Sequence, residues 1–180
     1  QLVAGIISDL RVINGQRGRV AIFKLDDKSE TIEAVANQST LDANKDLLKD
    51  DELVIIQGKV QTDRFSGGLR LNVQEVMSLA SARCRYARFV RLVARDQKLP
   101  VAEVLREHPA RRIESDQPDL PDILQGLPLR VTVERRTPEL SARAELELGD
   151  QAKVYPTEAA MLRFKELMPD AQATVVYGEG

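Results

Sequence analysis

The turn at residues 63–68 holds the residue pair with the clearest chemical potential in the chain. Arg64 and Phe65 are adjacent there, and Ser66 and a pair of glycines follow them. A guanidinium group can neutralise a phosphate, and a neighbouring ring can stack on a base, so this pair suits a single strand of nucleic acid. The same residues also fit a solvated turn whose ring folds back onto its own strand.

Groups that could carry out catalysis are sparse. Asp26 and Asp27 are adjacent, so on a strand they would face opposite ways, whereas nucleotidyl transfer needs carboxylates that converge on two metal ions about 4 Å apart. The single cysteine, Cys84, and the single histidine, His108, are too few for a Cys/His zinc site and exclude an internal disulfide. We therefore predict no catalytic centre, no metal site and no cofactor in this chain.

Composition and charge exclude further classes. The 180 residues carry 26 basic and 28 acidic side chains, a net charge of -2, so any contact with nucleic acid must be local. No apolar run approaches the roughly 20 residues that cross a bilayer, and we expect a cytoplasmic protein without membrane contact. Because the chain starts at Gln1 and leads directly into a strand-like run, we expect a piece of a longer protein.

The elements that would position Arg64 and Phe65 follow from alternation of apolar residues. Residues 2–13 alternate with Ala4, Ile6, Leu10 and Val12 on the expected inner face. Ser39 and Thr40 would cap a short helix. The predicted strands are residues 2–13, 20–25, 31–36, 53–62 and 69–73, and the predicted helix is residues 41–48.

Three strands, a short helix and two further strands within residues 1–80 form the element order of the OB-fold, a five-stranded barrel. OB-folds bind oligonucleotides across strands 2 and 3 and through the loops that join strands 1 to 2 and 4 to 5. Both of those loops carry arginine here, and we expect the two loops to lie side by side at the barrel mouth. The candidate residues for binding single-stranded DNA are Arg17, Arg19, Lys24, Arg64, Phe65 and Arg70.

Residues 81–180 have the pattern of a small α+β domain. Its predicted helices are residues 79–86, 99–107 and one that begins after Thr157 with a buried stripe. Residues 108–126 contain several prolines and charges and are expected to be irregular, with one turn at 122–124. The predicted strands are residues 88–95, 129–136, 142–148, 153–155 and 173–177.

Several short segments carry a resemblance to a known family. The first strands, including Phe23-Lys24-Leu25-Asp26-Asp27, are similar to the OB domains grouped with the anticodon-binding domains of class II tRNA synthetases. The segment from Gly58-Lys59-Val60 through Phe65-Ser66-Gly67-Gly68-Leu69-Arg70-Leu71 to Tyr86-Ala87-Arg88 more narrowly resembles the C-terminal region of the bacterial DNA polymerase III alpha subunit. The resemblance continues to the end of the chain.

The resemblance implies a non-catalytic part of a DNA-directed DNA polymerase. Residues 1–80 would then bind single-stranded template DNA, and residues 81–180 would bind the tau subunit of the clamp loader, as the run Lys153-Val154-Tyr155-Pro156-Thr157 suggests. In that family the last strand also carries a peptide that resembles a motif for the sliding clamp. Here its counterparts are Gln172, Val175 and Tyr177, with tyrosine where the family pattern has phenylalanine.

Two other functions fit the sequence. A tRNA-binding module would prefer a folded anticodon stem-loop over an unstructured strand of equal length. A pure protein-interaction module would use its barrel without touching nucleic acid.

Overall fold

The computed structural model describes residues 1–15, 18–63, 67–95, 99–114, 121–170 and 172–178. It divides into two compact units, Gln1–Leu79 and Ala80–Gly180. The first unit is a closed β-barrel, and the second combines a sheet with helices. The β-rich architecture predicted from the sequence, an OB barrel followed by an α+β unit, is confirmed.

The described residues of the first unit form a barrel of five strands with one short helix. The elements are β1 (Leu2–Gly15), β2 (Gly18–Asp26), β3 (Thr31–Ala36), α1 (Gln38–Ala43), β4 (Leu53–Thr62) and β5 (Leu69–Ser78). β2 alternates buried apolar side chains with more exposed ones, so one of its faces turns inward, whereas in β4 the three consecutive residues Val54, Ile55 and Ile56 are all buried.

Pairing in the order β1-β2-β3-β5-β4, with β4 also paired to β1, closes the barrel. All pairs are antiparallel except β3 with β5, which run parallel. The interior is filled by buried apolar side chains, of which Phe23, Leu25 and Ile56 are among the largest. At the bulge in β4, a Cβ on Gly58 would lie 2.4 Å from the carbonyl oxygen of Asn72, so only glycine allows the two backbones to approach this closely.

The predicted inner face of β1 is wrong for Ala4, Ile6 and Val12, whereas Leu10 is half-buried and packs against the barrel core as predicted. Gly5 and Ile7 are the buried positions, whereas Ile6 is 36% exposed and Val12 is 47% exposed. Counting apolar residues favoured the wrong parity because a glycine occupies one inward position. A bulge between Ser8 and Arg11 then interrupts the alternation.

The short helix begins earlier than predicted. Asn37 is the N-cap, and its side chain accepts a hydrogen bond from the Thr40 backbone N–H, so α1 covers Gln38–Ala43 rather than residues 41–48. Asparagine is a strong capping residue, and it precedes the serine and threonine that were expected to cap. Leu41 and Leu48 are buried in the barrel core, and Leu47 packs against it.

The second unit follows the predicted order of elements with one correction. Residues 108–126 are not wholly irregular, because two short strands pair within them, and the predicted turn at 122–124 lies largely in the second. The elements are α2 (Leu79–Tyr86), β6 (Ala87–Arg95), α3 (Val101–Glu107), β7 (Arg111–Ile113), β8 (Ile123–Gln125), β9 (Leu127–Arg136), β10 (Ser141–Glu147), β11 (Lys153–Val154), α4 (Glu158–Leu167) and β12 (Gln172–Tyr177).

The main sheet of this unit has the order β10-β9-β6-β12, and β11 adds to β9. Thr157 caps α4 as predicted, accepting a hydrogen bond from the Ala160 backbone N–H at 3.0 Å. Phe164 and Met168 on this helix are fully buried and pack with the inward side chains of β6 and β9. The strand order makes β10 and β12 the two edge strands of this sheet.

Candidate nucleic-acid interface

The outer surface of β2, β3 and β5 carries a row of charged side chains that lie side by side. Lys24 on β2 is in register with Glu33 on β3, and Glu33 is in register with Arg70 on β5. All three are on the parity opposite to the barrel core, since their neighbours Phe23, Ala34 and Leu71 are buried. We call Lys24, Glu33 and Arg70 the charged row.

Glu33 is the centre of the charged row. Its Oε1 accepts a hydrogen bond from Arg70 Nε at 2.8 Å, and its Oε2 lies 3.9 Å from Arg11 NH2. Arg70 is held from a second side, because its NH1 lies 3.3 Å from Asp63 Oδ1. Two carboxylates thus neutralise the arginine that the sequence nominated for phosphate binding.

Lys24 and Arg19 are also paired. Lys24 Nζ lies 2.7 Å from Asp9 Oδ2, and this hydrogen bond lowers the pKa of the Asp9 carboxyl below its usual value. Arg19 NH2 donates to Asp42 Oδ1 at 2.8 Å, at the start of β2 beside α1. Every described cation that the sequence nominated therefore faces an acidic partner. The pairs of Lys24 with Asp9 and of Arg19 with Asp42 are solvent-exposed, and each contributes only about 0–1 kcal/mol, whereas the side chain of Asp63 in the pair with Arg70 is 9% exposed.

Of the six candidate residues, the structure brings Lys24 and Arg70 together across Glu33. Arg19 lies apart from them, near the opposite end of β2. Arg17, Arg64 and Phe65 lie outside the described residues. Their role in binding stays a prediction.

The expectation that the two arginine-bearing loops lie side by side concerns residues 16–17 and 64–66, which lie outside the described residues, so it stays a prediction. Gly18 begins β2 three positions before Ala21, which pairs with Ala36 at the end of β3. Leu69 immediately precedes Arg70, which pairs with Glu33 nearer the start of β3. The described flanks of the two turns are therefore in register with different ends of β3, and a bound strand that contacts both flanks would have to cross the surface of β2 and β3.

Two further cations lie on this outer surface and were not nominated from the sequence. Lys59 on β4 is in register with Asn72, is exposed, and has no ion pair among the described residues. Arg11 on β1 is in register with Ile22, and its NH2 lies 3.9 Å from Glu33 Oε2. Lys59 could have been found from sequence, because the alternation that buries Val54 and Ile56 places it outward.

Aromatic side chains are scarce in the first unit. Among residues 1–79 the sequence contains Phe23 and Phe65 alone. Phe23 is 1% exposed and belongs to the barrel core. Stacking of a base on this unit would therefore depend on Phe65.

Asp27 and Cys84 both have structural rather than catalytic environments. Asp27 accepts hydrogen bonds from the Ser29 hydroxyl and from the backbone N–H groups of Ser29 and Glu30, which lower its pKa to about 2. It closes the turn between β2 and β3, as the sequence indicated. Burial raises the pKa of the Cys84 thiol to about 11, so it stays protonated near neutral pH.

The described part of the chain contains no group of three or more His, Cys, Asp or Glu residues that could hold a metal ion. None of its helices is long and apolar enough to cross a membrane.

The three residues of the clamp-like peptide all lie on β12. Val175 is half-buried and packs against the core of the second unit, whereas Gln172 and Tyr177 are exposed. The strand is hydrogen-bonded to β6 along its length. Val175 is therefore partly covered by the core of the second unit, and clamp contact stays a prediction.

The dense arginine segment, residues 83–95, is only partly neutralised. Arg83 pairs with Glu158, and Arg95 Nε lies 3.2 Å from Glu134 Oε2. Arg88 and Arg91 are exposed and have no ion pair among the described residues. Within this segment, Arg83 and Arg95 are therefore paired with carboxylates, whereas Arg88 and Arg91 could contact a ligand.

Comparison with known proteins agrees with this architecture. Residues 2–79 match the family model for the OB-fold nucleic acid binding domain, a family named for the tRNA anticodon. The DNA polymerase III alpha subunit of Vibrio cholerae is 28% identical over 182 aligned positions, which cover 97% of this chain and 14% of that protein. The alpha subunit of Pseudomonas fluorescens is 36% identical over 135 positions, covering 69% of this chain and 12% of that protein.

The chain is homologous to part of the DNA polymerase III alpha subunit. The resemblance predicted from the sequence is therefore confirmed, and it extends over both units. The chain spans 14% of the length of the Vibrio alpha subunit, so it corresponds to a small part of that protein. Among solved structures, the second OB-fold domain of replication protein A from Methanococcus maripaludis aligns with a TM-score of 0.33 and 14% identity, covering 43% of this chain and 81% of that chain.

Proposed function

We propose that this chain is a non-catalytic part of a replicative DNA polymerase alpha subunit that holds single-stranded template DNA on its barrel. The observation that carries the proposal is the alignment to alpha subunits over 97% of the chain, combined with an OB barrel over residues 2–79. The strand would cross the outer surface of β2 and β3 between the two arginine-bearing turns. As a component of a replicative polymerase, the protein would work in the cytoplasm.

Binding of this kind uses backbone charge and base stacking and is tolerant of sequence. Each stacked base contributes about 1–3 kcal/mol, and micromolar affinity corresponds to about 8 kcal/mol. Phe65 and a few phosphate contacts are therefore enough for weak binding. The ion pairs around Arg70, Lys24 and Arg19 would keep the affinity in that range, because a phosphate must compete with carboxylates for each cation.

Fluorescence anisotropy with a labelled oligo(dT) strand tests the DNA-binding role. At low salt the full chain should bind with micromolar affinity, and the double variant Arg64→Ala with Phe65→Ala should bind at least about tenfold more weakly. Lys45→Ala is the matched control, because Lys45 is paired with Asp42 beside α1. No binding by the unaltered chain, or no effect of the double variant, would favour the pure protein-interaction module.

The family model supports a second candidate, a tRNA-binding module, because that family is named for the tRNA anticodon. A competition titration separates the two. A folded anticodon stem-loop should displace oligo(dT) no better than an unstructured strand of equal length if the polymerase role is right. Preferential displacement by the stem-loop would establish the tRNA role instead.

We further propose that the second unit docks the tau subunit of the clamp loader, and that the sliding clamp is at most a weak partner. Support comes from the alpha-subunit alignment, which extends beyond the barrel into this unit. Immobilised full chain should capture purified tau from solution. If the chain binds DNA normally but does not capture tau, the docking role is refuted and the DNA-binding role stands.

A further inference from the structure

The strand β12 lies at one end of the main sheet in the second unit. It pairs with β6 along one edge, and no described strand pairs with its other edge. Alternate backbone N–H and C=O groups of an edge strand point away from the sheet and can pair with a further strand. The outer edge of β12 is thus a template for strand addition.

The two edge strands of this sheet differ in how they are protected. At the opposite end, β10 carries Arg143, Glu145 and Glu147, and charges of this kind discourage pairing with another chain. The sequence of β12, Gln-Ala-Thr-Val-Val-Tyr, has no charged residue and no proline, and Thr, Val and Tyr favour extended structure. Of the two edges, β12 is the one that lacks protection.

A groove of about 460 Å³ runs beside this edge, between α4 and β12. Leu162 on α4 is 55% exposed there, next to the half-buried Met161, and Ala173 lines the same groove. A strand added to β12 would direct every second side chain towards the helix. An apolar side chain at that position would cover Leu162.

The charges along the groove favour an acidic ligand. Glu158 is already paired with Arg83. Lys165 is exposed and has no ion pair within the described part of the chain. Lys165 therefore places a positive charge without a described ion-pair partner beside the apolar surface of Leu162.

We propose that the edge of β12 and this groove receive an extended segment of a partner protein, which adds as a strand, covers Leu162 with an apolar side chain and places a carboxylate on Lys165. A second copy of this chain pairing through its own β12 fits less well, because Gln172–Tyr177 contains no carboxylate to meet Lys165. The proposal deepens the docking role of the second unit and rests on that role for the existence of a partner.

Selection of short random peptides displayed on phage against the full 180-residue chain tests the site. We expect a consensus that alternates apolar residues and contains an aspartate or glutamate. The consensus peptide, labelled with fluorescein, should bind at least about tenfold more weakly to Leu162→Asp, since a buried apolar anchor dominates such interfaces. Lys165→Glu should also weaken binding, and exchange of the peptide carboxylate for lysine should restore it.

Leu146→Asp on β10 is the matched control, because Leu146 is 50% exposed on the protected edge of the same sheet. It should leave peptide affinity unchanged. Methylation of the peptide nitrogens whose N–H groups point towards β12 should abolish binding. Methylation of the alternate nitrogens, which point away from β12, should leave binding intact. Hydrogen exchange should slow at Gln172–Tyr177 when the peptide binds.

Four results would overturn the proposal: no consensus peptide, a peptide that binds both α4 variants normally, exchange protection confined to other segments, or a homodimer that Leu162→Asp dissociates. The tau capture experiment is separate. Peptide binding without tau capture would refute the named partner and leave the site standing. Tau capture that survives both α4 variants, together with no peptide binding, would refute the site alone.

Discussion

Replacing Glu33 with glutamine removes the carboxylate at the centre of the charged row while keeping its size. Glu33 contacts Arg70 at 2.8 Å and lies 3.9 Å from Arg11. A DNA phosphate that reaches Arg70 must therefore approach the Glu33 carboxylate or displace it. We expect Glu33→Gln to bind single-stranded DNA more tightly than the unaltered chain does.

The size of the effect follows from Coulomb's law. Two negative charges about 5 Å apart repel by about 0.8 kcal/mol in water and by about 3 kcal/mol at the effective dielectric of a protein surface. Glu33 is 35% exposed, so an intermediate value applies. About 1–2 kcal/mol corresponds to a gain in affinity of roughly 5- to 30-fold.

Anisotropy titrations of oligo(dT) at several salt concentrations measure both affinity and its salt dependence. Arg70 would be released from Glu33 while its NH1 still lies 3.3 Å from Asp63 Oδ1, so it should add at most about one phosphate contact and steepen the plot of log affinity against log salt by up to about 0.7. Glu30→Gln is the matched control, because Glu30 is exposed and makes the same change in net charge without a described ion pair. Equal gains for Glu33→Gln and Glu30→Gln, or no gain for Glu33→Gln, would refute the reasoning.

Three further predictions follow from particular contacts. Lys59→Ala should reduce affinity for oligo(dT) and flatten its salt plot by about 0.7, whereas Lys45→Ala, which loses a cation already paired with Asp42, should leave that slope nearly unchanged. Gly58→Ala should lower the free energy of unfolding by about 1–3 kcal/mol in urea titrations, because its Cβ would lie 2.4 Å from the Asn72 carbonyl oxygen. Gly15→Ala is the control, since a Cβ there would lie 3.3 Å from its nearest neighbour. An equal loss of stability in the two variants would contradict the prediction. The pKa of Asp27 in the folded protein is about 2, below the ordinary 3.8, so its carboxylate should stabilise the fold above pH 3.8 and lose this effect as the pH falls towards 2. Asp27→Asn should remove that part of the acid dependence of the free energy of unfolding. Identical curves of stability against pH for the variant and the unaltered chain would be the contrary result.

The sequence predicted most of the fold because the alternation of apolar residues is regular. The antiparallel pair β9 and β10 and the stripe on α4 with Phe164 and Met168 were all predicted from spacing. The inner face of β1 was missed because a glycine, which adds nothing to an apolar count, occupies an inward position. The start of α1 was missed because Asn37 caps the helix ahead of Ser39 and Thr40.

The candidate site was harder to predict, since it depends on which side chains meet across strands. The sequence nominated Lys24 and Arg70 correctly as outward residues, but it could not place Glu33 between them, because the parallel pairing of β3 with β5 is a long-range contact. The acidic residues Asp9, Glu33 and Asp63 lie among the cations of this surface. Charge neutralisation of this kind is a property of the folded surface.

The central claim is that the outer surface of β2, β3 and β5 contacts single-stranded DNA. Backbone amide chemical shifts of the isotope-labelled full chain, recorded as oligo(dT) is added at low salt, measure this directly. We predict that the largest changes fall at Lys24, Glu33 and Arg70, at their strand neighbours and in the two arginine-bearing turns. Changes confined to residues 80–180, or a spectrum that oligo(dT) leaves unaltered, would contradict the claim.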